Sequence, residues 1–120
     1  MAQLLTTFNN ITVRCSTPEV ATTLLDNPVL DNEKLMLLGL DICNLADSGL
    51  TCDVVVTKSS VDYYLLKNAP LPVGGTLQVI SKQKHVLSPG DTLKIIAHGS
   101  SGIDLVDVIG AYMSLSLTEE

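Results

Sequence analysis

Residues 51–117 read TCDVVVTKSSVDYYLLKNAPLPVGGTLQVISKQKHVLSPGDTLKIIAHGSSGIDLVDVIGAYMSLSL. The stretch divides into short β-type runs at 51–57, 61–67, 76–80, 92–97 and 106–117. Turn chemistry separates them: Lys58-Ser59-Ser60, Asn68-Ala69-Pro70, Pro72-Val73-Gly74-Gly75, Ser88-Pro89-Gly90-Asp91 and Gly99-Ser100-Ser101-Gly102. Runs this short, with turn signals about every 8–12 residues, predict an all-β antiparallel sandwich, Ig-like or jelly-roll-like, of about seven to nine strands.

Parity within the runs supports strands. Cys52, Val54 and Val56 alternate with Thr51, Asp53 and Thr57, and Leu93 and Ile95 with Thr92 and Lys94. In the last run Ile109, Ala111, Met113, Leu115 and Leu117 share a parity with Asp107, while Val106 and Val108 take the other. A register change near Gly110 reconciles them, since a lone Gly in a strand often marks a bulge. Tyr63-Tyr64-Leu65-Leu66 is apolar on both faces, which predicts a central strand or one lying against a neighbouring subunit.

Upstream, residues 4–7 and 10–15 flank a turn-like Asn9-Asn10 pair, and Ile11, Val13 and Cys15 alternate with polar residues. Residues 20–25 place Val20, Thr22 and Leu24 on one side, before loop signals at Asp26-Asn27-Pro28 and Asp31-Asn32. Residues 33–46 carry helix-forming Leu, Met, Glu and Lys, but as a helix they would be apolar all round. A long strand fits better, with Met36, Leu38, Leu40 and Ile42 on one apolar face. Asp47-Ser48-Gly49 then suits a hairpin into the 51–57 run.

The chain has 120 residues, enough for one domain over 1–120 that needs no disulfide staple, with residues 1–14 as an extended N-terminal arm or strand. Apolar residues are 46 % and charged residues only 17 %, so part of the apolar surface is expected to lie against other subunits. Thirteen acids oppose seven bases, net −6, and Arg14 is the sole arginine. Phosphate binding needs massed Lys and Arg, so nucleic acid is not expected as a partner. Nor is a membrane: the longest apolar run, 35–40, is far below spanning length, and the opening Met-Ala-Gln-Leu-Leu-Thr-Thr-Phe lacks the basic and apolar regions of a signal peptide. The odd cysteine count suits synthesis in a reducing compartment.

No reaction centre emerges. Cys43 and Cys52 flank the Asp47-Ser48-Gly49 turn almost symmetrically, but the hairpin register leaves them one residue out of opposition, so two buried free thiols are expected rather than a disulfide. No CxxC or HxxxH spacing exists for zinc. Ser100, His98 and Asp104 make a triad only on paper, without a G-x-S-x-G elbow. His85 reads as a loop-edge histidine. Asp26, Asp31, Asp47, Asp62, Asp91 and Asp104 sit where turn chemistry wants Asp, and the pair Asp104/Asp107 is a weak prospect for a surface cation. Gly74-Gly75 lacks the Lys-Ser/Thr of a phosphate loop. No catalytic, metal or cofactor residue is assigned.

Residues 64–80, YLLKNAPLPVGGTLQVI, and 85–95, HVLSPGDTLKI, together resemble small tailed-bacteriophage virion proteins. In that group an extended strand leads to P-x-P-x-G/D-x-x-L-x-V-I, then L-x-x-G-D-x-L-x-V, then a last strand around I-x-x-Y, as at residues 109–112 here. The opening 10–25, with its Thr-Leu-Leu before an Asn-Pro loop, is similar too. The resemblance implies a non-enzymatic, multi-copy virion subunit with no cofactor. Its partners would be copies of itself and other virion proteins of capsid, neck or tail, in a particle assembled in the host cytoplasm. The competing expectation is a carbohydrate- or receptor-binding sandwich, for which Tyr63, Tyr64 and Tyr112 are the available aromatics.

Overall fold

Each apolar run in residues 51–117 becomes a strand in the computed structural model, which describes residues 2–27, 33–80, 85–99 and 104–119. In chain order the strands are β1 (Ala2–Cys15), β2 (Thr22–Asp26), β3 (Lys34–Asn44), β4 (Leu50–Lys58), β5 (Val61–Leu71), β6 (Thr76–Ile80), β7 (His85–Leu87), β8 (Thr92–His98) and β9 (Val106–Glu119). They form two antiparallel sheets. Sheet I runs β1-β9-β3-β6, with β7 also pairing β3, and sheet II runs β2-β8-β4-β5.

Successive strands mostly switch sheets; β4–β5 is a direct hairpin within sheet II, and β6 and β7 both pair β3. That order is a jelly roll, two Greek keys rolled into a sandwich. It overturns one local reading. β3 lies in sheet I and β4 in sheet II, so residues 45–49 are a crossover between layers and not a hairpin. The local turn chemistry of Asp47-Ser48-Gly49 suits either connection. Only the global pairing decides.

The inner faces are aliphatic: Leu35, Leu37, Leu40, Ile42, Val106 and Val108 of sheet I meet Cys52, Val54, Leu93, Ile95 and Ala97 of sheet II. Each fully buried Leu, Ile or Val contributes about 1.5–3 kcal/mol over its exposed state. β3 does not keep one parity. Leu35 and Leu37 point inward, then Leu40 and Ile42, while Met36 is only partly buried. The cause is a bulge: Leu37 pairs Tyr112 and Gly39 pairs Ala111, leaving Leu38 as the extra residue. So the expected Met36–Leu38–Leu40–Ile42 face is split between two sides of the sheet.

The bulge also explains Gly110. The irregularity expected at Gly110 in β9 lies across the ladder in β3, because β9 pairs β1 without interruption from Val106 to Glu119. A Cβ at Gly110 would sit 2.5 Å from the Gly39 carbonyl oxygen, so the bulged backbone leaves no room for one. With β9 regular, Val106 and Val108 face the core and Ile109 is 60 % exposed. β1 is likewise unbroken: Asn9 pairs Tyr112 and Asn10 pairs Ala111, so the expected turn there is absent.

β5 is an edge strand, not a central one. Its hairpin to β4 turns on Ser59 and Ser60, at φ 51 and 65, as a two-residue type I′ loop requires. Ser88-Pro89-Gly90-Asp91 closes with Asp91 N–H donating to Ser88 O at 3.0 Å, and Gly90 takes the positive φ of 94 that a type II turn needs at that place.

Two buried asparagines tie the loops to the sandwich. Asn27 Nδ2 donates to Glu33 O and Leu87 O, each at 2.9 Å. Asn44 Nδ2 donates to Ser48 O and Leu71 O at 3.0 and 2.9 Å, while its Oδ1 accepts from Ala46 N–H at 2.8 Å. Loop carbonyls that would otherwise be buried without a donor are thus satisfied.

Candidate functional site

The chemistry-bearing side chains gather on the outer faces of the two sheets, and the two faces differ. On sheet II the centre is Asp53. Its parity in β4 points outward, yet it is only 2 % exposed. β5 covers it: Cys52 pairs Ala69 and Val54 pairs Leu66, so Lys67 and Asn68 both oppose Asp53 in a bulge. Asn68, at φ 50, donates its backbone N–H to Asp53 Oδ1 at 2.7 Å. His98 Nε2 lies 3.1 Å from Asp53 Oδ2, and its Nδ1 lies 2.7 Å from Glu19 Oε2. Lys67 Nζ stands 3.9 Å from Asp53 and 4.5 Å above the Tyr64 ring centroid.

This arrangement raises the His98 pKa, first through the Glu19 hydrogen bond and, against desolvation, through Asp53 as well. The imidazolium can donate from both nitrogens at once, so the cluster clamps the β1–β2 connection onto β8 and β4. Both nitrogens are occupied, leaving none to act as a base toward a substrate. Asp104, the acid of the paper triad, lies instead 3.7 Å from Arg14, and Ser100 falls outside the described residues. Asp31 is outside them too.

The cysteines carry no visible reactivity. Cys43 and Cys52 are free and sit in opposite sheets; Cys52 is buried while Cys43 is only partly so, against the expectation of two buried thiols. Burial, then the Asp53 charge, pushes the Cys52 thiol up to about 11, the wrong direction for a nucleophile. Among the described residues no group of three or more His, Cys, Asp or Glu is placed to hold a metal ion. Between Asp104 and Asp107, where a weak cation site was a prospect, the guanidinium of Arg14 is already seated. It donates to Asp107 from Nε and Nη2 at 2.7 and 2.9 Å, which holds the Asp107 carboxyl below its ordinary pKa. Arg14 also rims an open cleft of about 440 Å³ with Leu45, Ala46, Asp47 and Asp104, but its charge there is spent on Asp107.

Sheet I presents something else. Across its outer face the register sets Phe8 beside Met113, Met113 beside Met36, and Met36 beside Val86, an apolar row over four strands. Phe8 is 71 % exposed and Val86 45 %. An antiparallel sheet facing water is ordinarily polar on that side. Parity placed Ile109, Ala111 and Met113 together in the sequence; the row across strands depends on the registers of β1, β3 and β7, which no local signal carries. Asp53 and Glu19 were likewise invisible as partners of His98, because a mid-strand Asp reads as solvent-facing until the β5 bulge closes over it.

No protein-family model matches the sequence, and no curated protein matches it. Solved structures do. Over 100% of both chains it is similar to a chain of the acid-stable capsid of Helicobacter pylori bacteriophage KHP30, at TM-score 0.56 and 9% identity. It is similar at TM-score 0.51 and 9% identity to a protein of Bacillus endospore appendages, described as disulfide-linked pili, covering 97% of this chain and 92% of that one. A third likeness, at TM-score 0.51 and 13% identity, is to VP2 of an infectious bursal disease virus subviral particle, covering 95% of this chain and 33% of the other. At these identities the likeness establishes a shared fold.

Proposed function

We propose that this chain is a non-enzymatic structural subunit of a tailed-phage virion, present in many copies and attached to capsid, neck or tail, where it stabilises the particle. The observation that carries the reading is the end-to-end likeness to a chain of a phage capsid, with neither chain left over. The turn-and-strand grammar of residues 64–80 and 85–95 points the same way. A jelly roll alone would not decide it, because lectins and cupins share the architecture. The surface adds independent support: His98 has both nitrogens engaged by carboxylates and Cys52 is a buried thiol, whereas an apolar row lies exposed on sheet I.

The glycan-binding alternative loses ground on geometry. Tyr63 and Tyr64 pair with successive β4 residues, Val56 and Val55, so they project to opposite sides of β5 and do not form one stacking platform. Tyr112 packs against the core.

The test is mass spectrometry on density-purified particles of the phage that encodes the chain, followed by gold labelling of a tagged copy. The chain is expected in tens of copies or more at a fixed place on the particle. Its absence from particles that carry their other structural proteins would refute the assignment.

A further inference from the structure

We infer that the outer face of sheet I is a self-complementary interface on which a second copy of this chain packs face to face about a two-fold axis. The axis lies in the plane between the two sheets and crosses the strands at the level of Asn9, Tyr112 and Leu37, which are paired neighbours on β1, β9 and β3. Rotation about it reverses strand direction and brings each ladder level above this line onto the equivalent level below.

The residues then match by size. The large row Phe8, Met113 and Met36 falls on the row Asn10, Ala111 and Gly39 of the mate, whose side chains are smaller, with Leu38 of the β3 bulge flanking Gly39. The large row meets the smaller one on both sides of the axis, since a two-fold contact is isologous. They match by charge as well. Lys34 pairs Leu115 at one end of the face, and Asp41 pairs Ile109 at the other. Both are exposed, and neither has an ion-pair partner among the described residues. The two-fold sets Lys34 of each copy against Asp41 of the other. Within one copy they stand about 20 Å apart along β3, too far to pair.

A chain of net charge −6 repels itself in general, yet among the described side chains of this face Arg14 and Lys34 balance Asp41 and Asp107. Its size is adequate. Four strands at about 4.8 Å spacing over eight ladder steps of about 3.4 Å project to about 500 Å². The corrugated side-chain surface exceeds its projection and approaches the roughly 800 Å² per partner of a standard interface. Sheets stacked this way pack about 10 Å apart with strands within about 30° of alignment. The pairing is a property of the isolated chain and holds or fails apart from the virion assignment.

The experiment is sedimentation equilibrium on the purified full chain across a wide concentration range, with circular dichroism melts on every variant to confirm folding. The wild-type chain is expected to dimerise reversibly. Lys34→Asp and Asp41→Lys should each raise the dissociation constant at least about tenfold, because each puts like charges in register. The double variant Lys34→Asp/Asp41→Lys should recover to near the wild-type value. Ala111→Leu, which fills the hole facing Met113, should weaken the dimer without lowering the melt. A wild-type chain that stays monomeric at the highest concentration overturns the interface. So does a dimer that ignores these variants, or one that the double exchange fails to restore; copies would then meet elsewhere, for instance along the open β1 edge.

Discussion

The outer face of sheet II is finished and that of sheet I is not. On sheet II many outward polar groups have found a partner within the chain: Asp53 with His98 and Asn68, His98 with Glu19, Lys58 with Asp91, Thr57 with Asp62, Thr92 with Asp26. The edge is finished as well. β5 bulges twice against β4 and carries Pro70, Asp62 and Lys67, the devices by which a sheet refuses further strands. On the outer face of sheet I the polar pair among the described residues, Arg14 with Asp107, sits at one end, and an apolar row of Phe8, Met113, Met36 and Val86 crosses the strands. Its edge strand β1 pairs β9 over 14 residues with no irregularity, no proline and one charge. The chain thus supplies partners for polar groups on sheet II and leaves the apolar row of sheet I exposed, the face on which the proposed second copy would pack.

The comparison breaks most violently at Asp53. Asp53→Ala removes the acceptor for the Asn68 N–H and one of the two carboxylates that His98 bridges, leaving a part-buried donor unpaired. The expected loss is about 3 kcal/mol of unfolding free energy by urea titration at neutral pH. Lys67→Ala should cost less than about 1 kcal/mol, since Lys67 is exposed and 3.9 Å from the carboxylate. Equal effects from the two would mean that the contacts of Asp53 contribute no more than a solvent-exposed ion pair does.

Much of the fold was legible because period-two alternation and turn residues are local. The strands at β4, β6 and β8 stand within a residue or so of their expected bounds, and the Ser59-Ser60 and Pro89-Gly90 turns fall where their chemistry demands. What failed was non-local. Asp47-Ser48-Gly49 is equally at home in a hairpin and in a crossover between layers. The β3 bulge at Leu38 follows from the pairing with β9, and the sequence marks the spot with two glycines, Gly39 and Gly110, whose adjacency appears only once the strands are aligned. The same holds for the surfaces. His98 was visible as a histidine at a strand end, but Glu19 and Asp53 lie 79 and 45 residues away from it, and nothing local selects them.

A smaller separation should appear in the pH dependence of stability. His98 has a raised pKa, so the stability its clamp adds is fully present below the unfolded histidine value of about 6.5 and is lost as pH rises through the higher folded value. Asp107 has a lowered pKa, so the contribution of its pair with Arg14 is present above the ordinary carboxylate value and is lost as pH falls through the depressed one. Subtracting variant from wild-type urea midpoints across pH isolates each. His98→Gln should flatten the alkaline limb and leave the acid limb alone, and Asp107→Asn should do the reverse, by less, because that pair is open to solvent. A single limb responding to both variants would mean that the two faces are coupled through the core.

The smallest expected effect is the most discriminating. Phe8 is 71 % exposed, so Phe8→Ser gives up almost no buried surface within its own chain. In dilute solution the unfolding free energy should change by less than about 0.5 kcal/mol. At high concentration the wild-type chain gains stability by mass action if copies pair through sheet I, by about 2.7 kcal/mol at a hundred times the dissociation constant. Phe8→Ser should forfeit most of that gain. The measurement is a thermal melt followed over a thousandfold range of concentration, with the wild-type midpoint climbing and the variant's staying nearly flat. A midpoint that is flat for both chains would show that the bare face of sheet I tolerates water after all, and the contrast between the two sheets would lose its functional meaning.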